Sequence, residues 1–264
     1  MKTGSVDVAQ VRMPAWDFLH WKHAGRIAAV YQYVVKEPAP RRVTEVQAIT
    51  NYGLAGDRHA SPSSPRQLLL AEEAAYQKFR LPESALRENL RINASTAEFH
   101  SGTLLRIGTE VVLWITFHCE PCSLLERRCP GTVKTIGQQR GVLARVLQGG
   151  LVSQGDEIWA TQSSIPAISD DWRTRVLNVA RALPPDHWLS YRSLAEMAGV
   201  ATAYCRAFPR VLAHLPSEIG NRIHSAAKSM QGPQWNGAGL FDTGSHLCLP
   251  SSDPQAVRGD APRP

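Results

Sequence analysis

The sequence predicts a two-part chain: a mainly β N-terminal part of barrel or sandwich type, then a small α-helical C-terminal part. Three observations predict it. Before residue 161 the apolar residues gather in short β-branched and aromatic runs broken by Gly and Pro turns, the pattern of an all-β domain. From 161 to 171, TQSSIPAISDD, apolar periodicity is lost while Ser, Pro and Asp accumulate, which marks a linker. From 172 onward apolar residues recur at helical spacing behind capping residues.

IAAVYQYVV (27–35) and VTEVQAI (43–49) read as strands around the Pro-rich KEPAPRR. LLLAEEAAYQKF (68–79) is rich in helix formers and is expected to be one helix. TLLRIGTEVVLWITF (103–117) gives two strands around Gly108. GVLARVLQGGLVSQGDEIWA (141–160) gives two further strands joined at Gly149 and Gly150, with another turn at 154–156. Asp171 is the expected N-cap of a helix reaching Leu183, ended by Pro184 and Pro185. Ser190 caps a second short helix, SLAEMA, stopped by Gly199, and Thr202 starts a third bearing Phe208, Val211, Leu212 and Leu215. Two short helices split by a Gly turn form a helix-turn-helix pattern, found in DNA-binding domains and in ordinary three-helix packing alike. Pro209 is expected to kink the third helix. The expected domains are thus 1–160 (core 25–160), the linker 161–171, a helical domain 172–248 and a disordered tail 249–264 rich in Pro, Ser and charge.

At 264 residues, 43% hydrophobic and 20% charged, the chain has a globular composition and length enough for two domains. No run approaches the roughly 20 apolar residues of a membrane span, and MKTGSVDVAQVRM lacks the apolar core of a secretion signal. The expected location is the cytoplasm. Five cysteines are too few and too uneven for a disulfide scaffold, so their thiols are available for chemistry. Of the net charge of +6, most falls between Trp172 and Lys228, where Arg173, Arg175, Arg181, Arg192, Arg206, Arg210, Arg222 and Lys228 face only Asp186, Glu196 and Glu218. Such a window is either a solvated face or a surface for a polyanion.

The densest chemistry is His118-Cys119-Glu120-Pro121-Cys122, directly after the apolar run VVLWITF, with Cys129 close behind. A thiol at a strand end is held by the scaffold yet reachable from solvent, and it serves as a metal ligand or a nucleophile. Two other readings stand beside this one: a buried inert cysteine pair, and a zinc site from His118, Cys119, Cys122 and Cys129. Structural zinc draws more often on two separated ligand pairs.

GLAGDRHA (53–60), RQLLL (66–70), LRENLRI (86–92), GTLLRIG (102–108), CEPCSLLE (119–126) and RGVLARVLQGG followed by GDEI occur in this order. On these motifs the segment from Gly25 to Ala160 resembles the MOSC domain, the module shared by molybdenum-cofactor sulfurases and amidoxime-reducing enzymes. The resemblance implies a β-barrel. It places Cys122 as the catalytic cysteine that ligates molybdenum or carries a persulfide sulfur, a soft thiolate being suited to a soft, redox-active metal. It further implies molybdenum cofactor (molybdopterin) bound through Cys119 and through Arg58, Arg66, Arg87 and Arg145, candidates for its phosphate, with Asp57 and His59 orienting the site. The longer N-terminal β-rich partner domain of the amidoxime-reducing branch has no counterpart in this sequence. The implied activity is reduction of small N-hydroxylated substrates. No iron–sulfur, flavin or nicotinamide fingerprint accompanies these motifs, so a separate electron-donating reductase is the expected partner.

VLNVARALPPDHWLSYRSLAEMAGV (176–200), a following helix bearing Arg206, and GNRIHSA (220–226) resemble the DNA-binding domain of O6-alkylguanine-DNA alkyltransferases and their non-catalytic alkyltransferase-like relatives. The implied fold is winged-helix-like and the implied partner is DNA. Gly220 stands where that family has its acceptor cysteine, and Asn221 replaces the activating histidine, so alkyl transfer is not expected. Tyr191 and Arg206 match the positions that displace a target nucleotide and fill the stack, and Arg222 is a further candidate DNA contact. The sequence thus points to a molybdenum-dependent oxidoreductase joined to a reader of damaged bases. The alternatives are a Cys122 persulfide carrier and a non-enzymatic lesion-binding protein in DNA repair.

Overall fold

The computed structural model of the protein describes residues 19–162, 165–225 and 232–242. The expected disordered tail and the N-terminal stretch read for a secretion signal lie outside these residues. The chain opens with β1 (Lys22–Gln32), β2 (Arg41–Val43), β3 (Glu45–Ile49), β4 (Gly53–Leu54) and β5 (Leu68–Glu72), which runs straight into α1 (Glu73–Lys78). It continues through β6 (Leu90–Ile92), β7 (Leu104–Ile107), β8 (Val111–His118), α2 (Ser123–Arg128), β9 (Val142–Gln148), β10 (Gly150–Ser153) and β11 (Glu157–Ala160). The C-terminal part comprises α3 (Trp172–Arg181), β12 (Leu189–Ser190), α4 (Tyr191–Met197), α5 (Phe208–Leu212), α6 (Ser217–Gly220) and β13 (Ile223–His224).

Seven strands close into a barrel in the order β1–β6–β5–β9–β8–β7–β11, and β11 pairs back onto β1 through Lys22 with Ala160 and Arg26 with Glu157. Within this ring β5 and β6 run parallel and every other neighbouring pair is antiparallel. β2 extends the far end of β1, and β10, β3 and β4 make a separate three-stranded sheet. Side chains alternate across each strand, so one set fills the barrel: Leu68 and Leu70, Leu105 and Ile107, Leu113 and Ile115, and Val142, Ala144 and Val146 share one core.

The run VVLWITFH is buried on both faces. Its outward residues Val112 and Trp114 lie with Leu104 beneath Ile165, from the expected linker, and Phe241 packs against the same group. Because neither face meets water, the sequence there shows no polar alternation. The helix expected over 68–79 is corrected: Leu68–Glu72 is a buried barrel strand, and only Glu73–Lys78 is helical. Hydrogen bonding to β9 on one side and β6 on the other overrides the helix propensity of Leu, Ala and Glu. The segment 141–160 holds three strands rather than two, since 154–156 turns the chain into β11.

The C-terminal part has its own core of Val176, Val179, Leu183, Leu194, Met197, Phe208, Leu212 and Trp235. The Asp171 carboxylate accepts from Thr174 N–H at the start of α3, and Ser190 Oγ accepts from Ser193 N–H at the start of α4, as the capping residues predict. The expected third helix breaks into a 3-10 stretch over Thr202–Ala207 followed by α5. Pro209 therefore does not kink a helix interior. It occupies the first turn of α5, where a missing N–H leaves no bond unmade. Among the described residues no helix is long and apolar enough to cross a membrane.

Candidate functional site

The barrel brings His59, Arg66, Arg87, Asn89, Cys119, Cys122 and Arg140 to the wall of one cleft, floored by Leu69 and Leu143. Four strands supply the frame. Arg66 precedes β5, Arg87 and Asn89 precede β6, Cys119 follows β8, and Arg140 precedes β9. Gly141 lets this end close up: its φ is +111, and a Cβ there would stand 2.3 Å from the Leu70 carbonyl oxygen.

Cys122 is exposed at the start of α2, whereas Cys119 is buried and donates its N–H to the Gly141 carbonyl at 2.8 Å. Cys129 packs away from the cleft beside Leu125 and Ile136, and burial pushes its thiol up, with Arg128 opposing. His118 turns to Asp170, whose carboxylate accepts its backbone N–H at 2.8 Å. Of the four residues of the zinc reading only Cys119 and Cys122 share the cleft, and among the described residues no three His, Cys, Asp or Glu side chains gather as a metal site.

Asp57 does not line the cleft; it fixes His59. Its buried carboxylate accepts from His59 N–H at 2.8 Å and ring Nδ1 at 2.9 Å, from Tyr33 N–H at 2.8 Å and from Asn89 Nδ2 at 2.8 Å. Burial alone raises the Asp57 pKa, but the bonds from the His59 ring and the two backbone N–H groups outweigh it and hold the carboxyl below its ordinary value. With Nδ1 donating to Asp57, Nε2 of His59 is left as the acceptor, 3.4 Å from Arg87 Nη2.

Arg140 is the residue the sequence reading missed. It is 6% exposed and lines the cleft, yet its Nε and Nη1 have no hydrogen-bond partner. A buried guanidinium with unmet donors suits an anionic ligand, because leaving such donors bare is costly. Arg140 opens the motif RGVLARVLQGG, but only its burial with unmet donors marks it as a group for a ligand.

Two of the candidate arginines lie elsewhere. Arg58 is exposed, with its guanidinium over the Tyr33 ring. Arg145 sits on the outer face of β9, donates Nη1 to the Pro62 and Ser64 carbonyls, and stacks on Phe241 at 4.1 Å. Burial pulls its pKa down to about 10, with Asp242 opposing. Arg145 therefore steadies the loop that presents Arg66.

The helical part reaches the cleft rim. Arg66 donates Nη1 to the Gly199 carbonyl at 3.1 Å, and its Nη2 lies 4.0 Å from Cys119 Sγ. Gly199, at φ +62, packs so closely that a Cβ would stand 2.7 Å from Phe117 and 2.8 Å from Pro65. Arg175 of α3, 3% exposed, donates to the Ala198, Ser169 and Asp170 carbonyls and to Glu120 Oε1 in the cysteine loop, with its guanidinium 3.8 Å from the Phe117 ring centre.

Of the DNA-contact candidates, Arg206 is exposed and Tyr191 is half-buried, edge-on to Phe208 at 5.6 Å. Arg222 is occupied internally, donating to the Glu218, Pro184 and His187 carbonyls. Gly220 ends α6.

Residues 56–159 match the MOSC domain family. Among solved structures, the YUAD protein from Bacillus subtilis is 16% identical over 53% of this chain and 98% of that one, with a TM-score of 0.46. YiiM from Escherichia coli is 20% identical over 72% of this chain and 94% of its own, with a TM-score of 0.42. YiiM from Geobacillus stearothermophilus is 14% identical over 73% and 100%, with a TM-score of 0.41. No curated protein matches the chain in sequence.

Proposed function

We propose, with the MOSC match over residues 56–159 as the premise, that the cleft binds molybdenum cofactor and that the protein reduces small N-hydroxylated compounds. The observation that carries this reading is the bare, buried guanidinium of Arg140 in the same cleft as the exposed thiol of Cys122. A soft donor for the metal and unmet donors for a phosphate stand together, so the residues present fit the group. Cys122 supplies the metal ligand, and Arg66, Arg87 and Arg140 hold the phosphate, with Cys119 in the wall behind.

When bound, the cofactor supplies two-electron redox chemistry. The chain's own residues do the rest. Conversion of an N-hydroxyl group to the amine takes two electrons and two protons and releases water, the electrons coming from a separate reductase. His59 is the group placed to pass a proton at Nε2, because Asp57 holds Nδ1 and the positive charge that forms on the ring. Leu69 and Leu143 keep the floor dry, which strengthens the charge-assisted bonds above it.

A second reading concerns the helical part, which we propose contacts duplex DNA through Tyr191 and Arg206 as a non-catalytic, winged-helix-like module. The exposure of Arg206 beside Tyr204, itself 40% exposed, favours it.

The test of the first reading is metal analysis of protein from a cofactor-competent host. Cys122→Ser abolishes molybdenum loading and Cys129→Ser retains it, a hydroxyl being a poor soft-metal donor. Equal loading of Cys122→Ser and wild type refutes the assignment. Absence of molybdenum with a trapped persulfide on Cys122 replaces it with sulfur carriage.

A further inference from the structure

The cations around the cleft exceed what one phosphate requires. Arg58 and Arg128 are exposed and stand outside the cleft wall, and Arg128 Nη1 donates to the Ser84 carbonyl that also accepts the Arg87 N–H. Tyr33, itself buried, serves as a platform for Arg58 and Arg87, whose guanidinium carbons lie 5.3 and 5.6 Å from its ring centre. Arg87 holds its position from a left-handed backbone, φ +57, a conformation that a non-glycine residue keeps only where its surroundings fix it. Burial lowers the pKa of Arg87 most, and the neighbouring charges of Arg58, Arg128 and Arg140 lower it further. Arg58 and Arg128 make single long bonds to the backbone carbonyls of Glu37 and Ser84, at 3.5 and 3.3 Å. Among the described residues none of these four arginines is ion-paired with a carboxylate. The other buried arginines with charge partners, Arg91 and Arg175, have Glu83, Glu88 and Glu120. Four like charges in and beside the cleft, none ion-paired with a carboxylate, suit more than one anionic group.

We infer that Arg58, Arg87 and Arg128 form a second anion subsite beside the cofactor phosphate, and that the substrate is a phosphomonoester of the N-hydroxylated compound. The inference rests on the cofactor reading of the cleft, which assigns Arg140 and the inner edge of Arg87 to the cofactor. The outer edge of Arg87, with Arg58 and Arg128, then faces a substrate entering from solvent. The phosphate anchors the substrate at the rim while its N-hydroxyl group reaches toward Cys122 and His59. The bidentate reach of guanidinium suits a phosphate dianion better than a carboxylate, which offers one oxygen fewer.

The test is calorimetric titration of molybdenum-loaded protein, at low salt, with adenosine 5′-monophosphate and with adenosine. The phosphate ester binds at least tenfold tighter than the nucleoside. Arg128→Glu removes that preference, leaves adenosine binding unchanged and leaves the molybdenum content at the wild-type value. Equal binding of the two probes to wild type, or an undiminished preference in Arg128→Glu, overturns the inference. Loss of molybdenum in Arg128→Glu also overturns it, since Arg128 then serves the cofactor. If wild-type protein carries no molybdenum, the cofactor reading fails separately. The two titrations on that metal-free protein are then judged by the same tenfold criterion, which supports or overturns the anion subsite by itself.

Discussion

Replacing Arg175 with Met is expected to destabilise the protein by about 3–4 kcal/mol. The side chain is 3% exposed and donates to three carbonyls, of Ala198, Ser169 and Asp170, at 2.9, 3.0 and 2.8 Å. A hydrogen bond from a charged donor contributes about 1.5–3 kcal/mol, but three from one side chain do not add in full, and removal leaves buried acceptors unmet. Glu120 accepts a fourth bond at 3.1 Å, yet its side chain is 41% exposed, so that ion pair contributes at most about 1 kcal/mol. Met keeps most of the contact with the Phe117 ring and isolates the polar loss. Glu120→Gln is the matched control, expected to cost under about 1 kcal/mol. Urea unfolding followed by tryptophan fluorescence measures both free energies, and thermal unfolding shows a fall in Tm of about 2–4 °C for each kcal/mol lost. If Arg175→Met lies within 1 kcal/mol of wild type, or if Glu120→Gln costs as much, the carbonyl clamp is not what fixes α3 to the linker and to the end of α4.

Asp57 has a carboxyl held below its ordinary value by the fold, so its contribution is complete above the unfolded value of about 3.9 and is lost as pH falls below it. Urea midpoints between pH 6 and 2.5 are expected to fall more steeply in wild type than in Asp57→Asn, and parallel acid limbs refute this. In DNA titrations over a salt series, Arg206→Ala is expected to weaken binding and to reduce the slope of log K against log salt by about 0.9. Arg222→Ala is expected to lower stability with the slope unchanged, because its guanidinium is committed to three carbonyls.

Elements were legible where their sequence punctuation is local, as for the barrel strands at the Gly turns before β8 and after β9 and for α3 and α4 at the caps Asp171 and Ser190. β5 was not legible, because LLLAE becomes a strand only when β6 and β9 flank it, and both pairings join distant segments. The cleft was half legible. His59, Arg66, Arg87, Cys119 and Cys122 stand in recognisable motifs, and the structure gathers all five. Arg140 was passed over although it opens the motif RGVLARVLQGG, because an arginine that follows a polar turn reads as solvated, and Arg175 because a basic residue on an amphipathic helix reads as its outer face. Arg222 shows the converse, its place in a basic window having concealed three internal bonds.

The seam between β1 and β11 joins the first described strand to the last strand of the barrel, with Lys22 opposite Ala160. A ring closed by its two sequence ends has high contact order, and such topologies fold slowly. During synthesis β1 exposes an unpaired edge until Glu157–Ala160 has left the ribosome, and exposed edges recruit other strands. Gly199 packs against Phe117, so the helices have a finished surface to dock on only after β8 is in place. The ring is therefore expected to form before the helices dock on it. A chain truncated before residue 157 is an aggregation hazard, whereas one ending after 162 retains every strand needed to seal the ring.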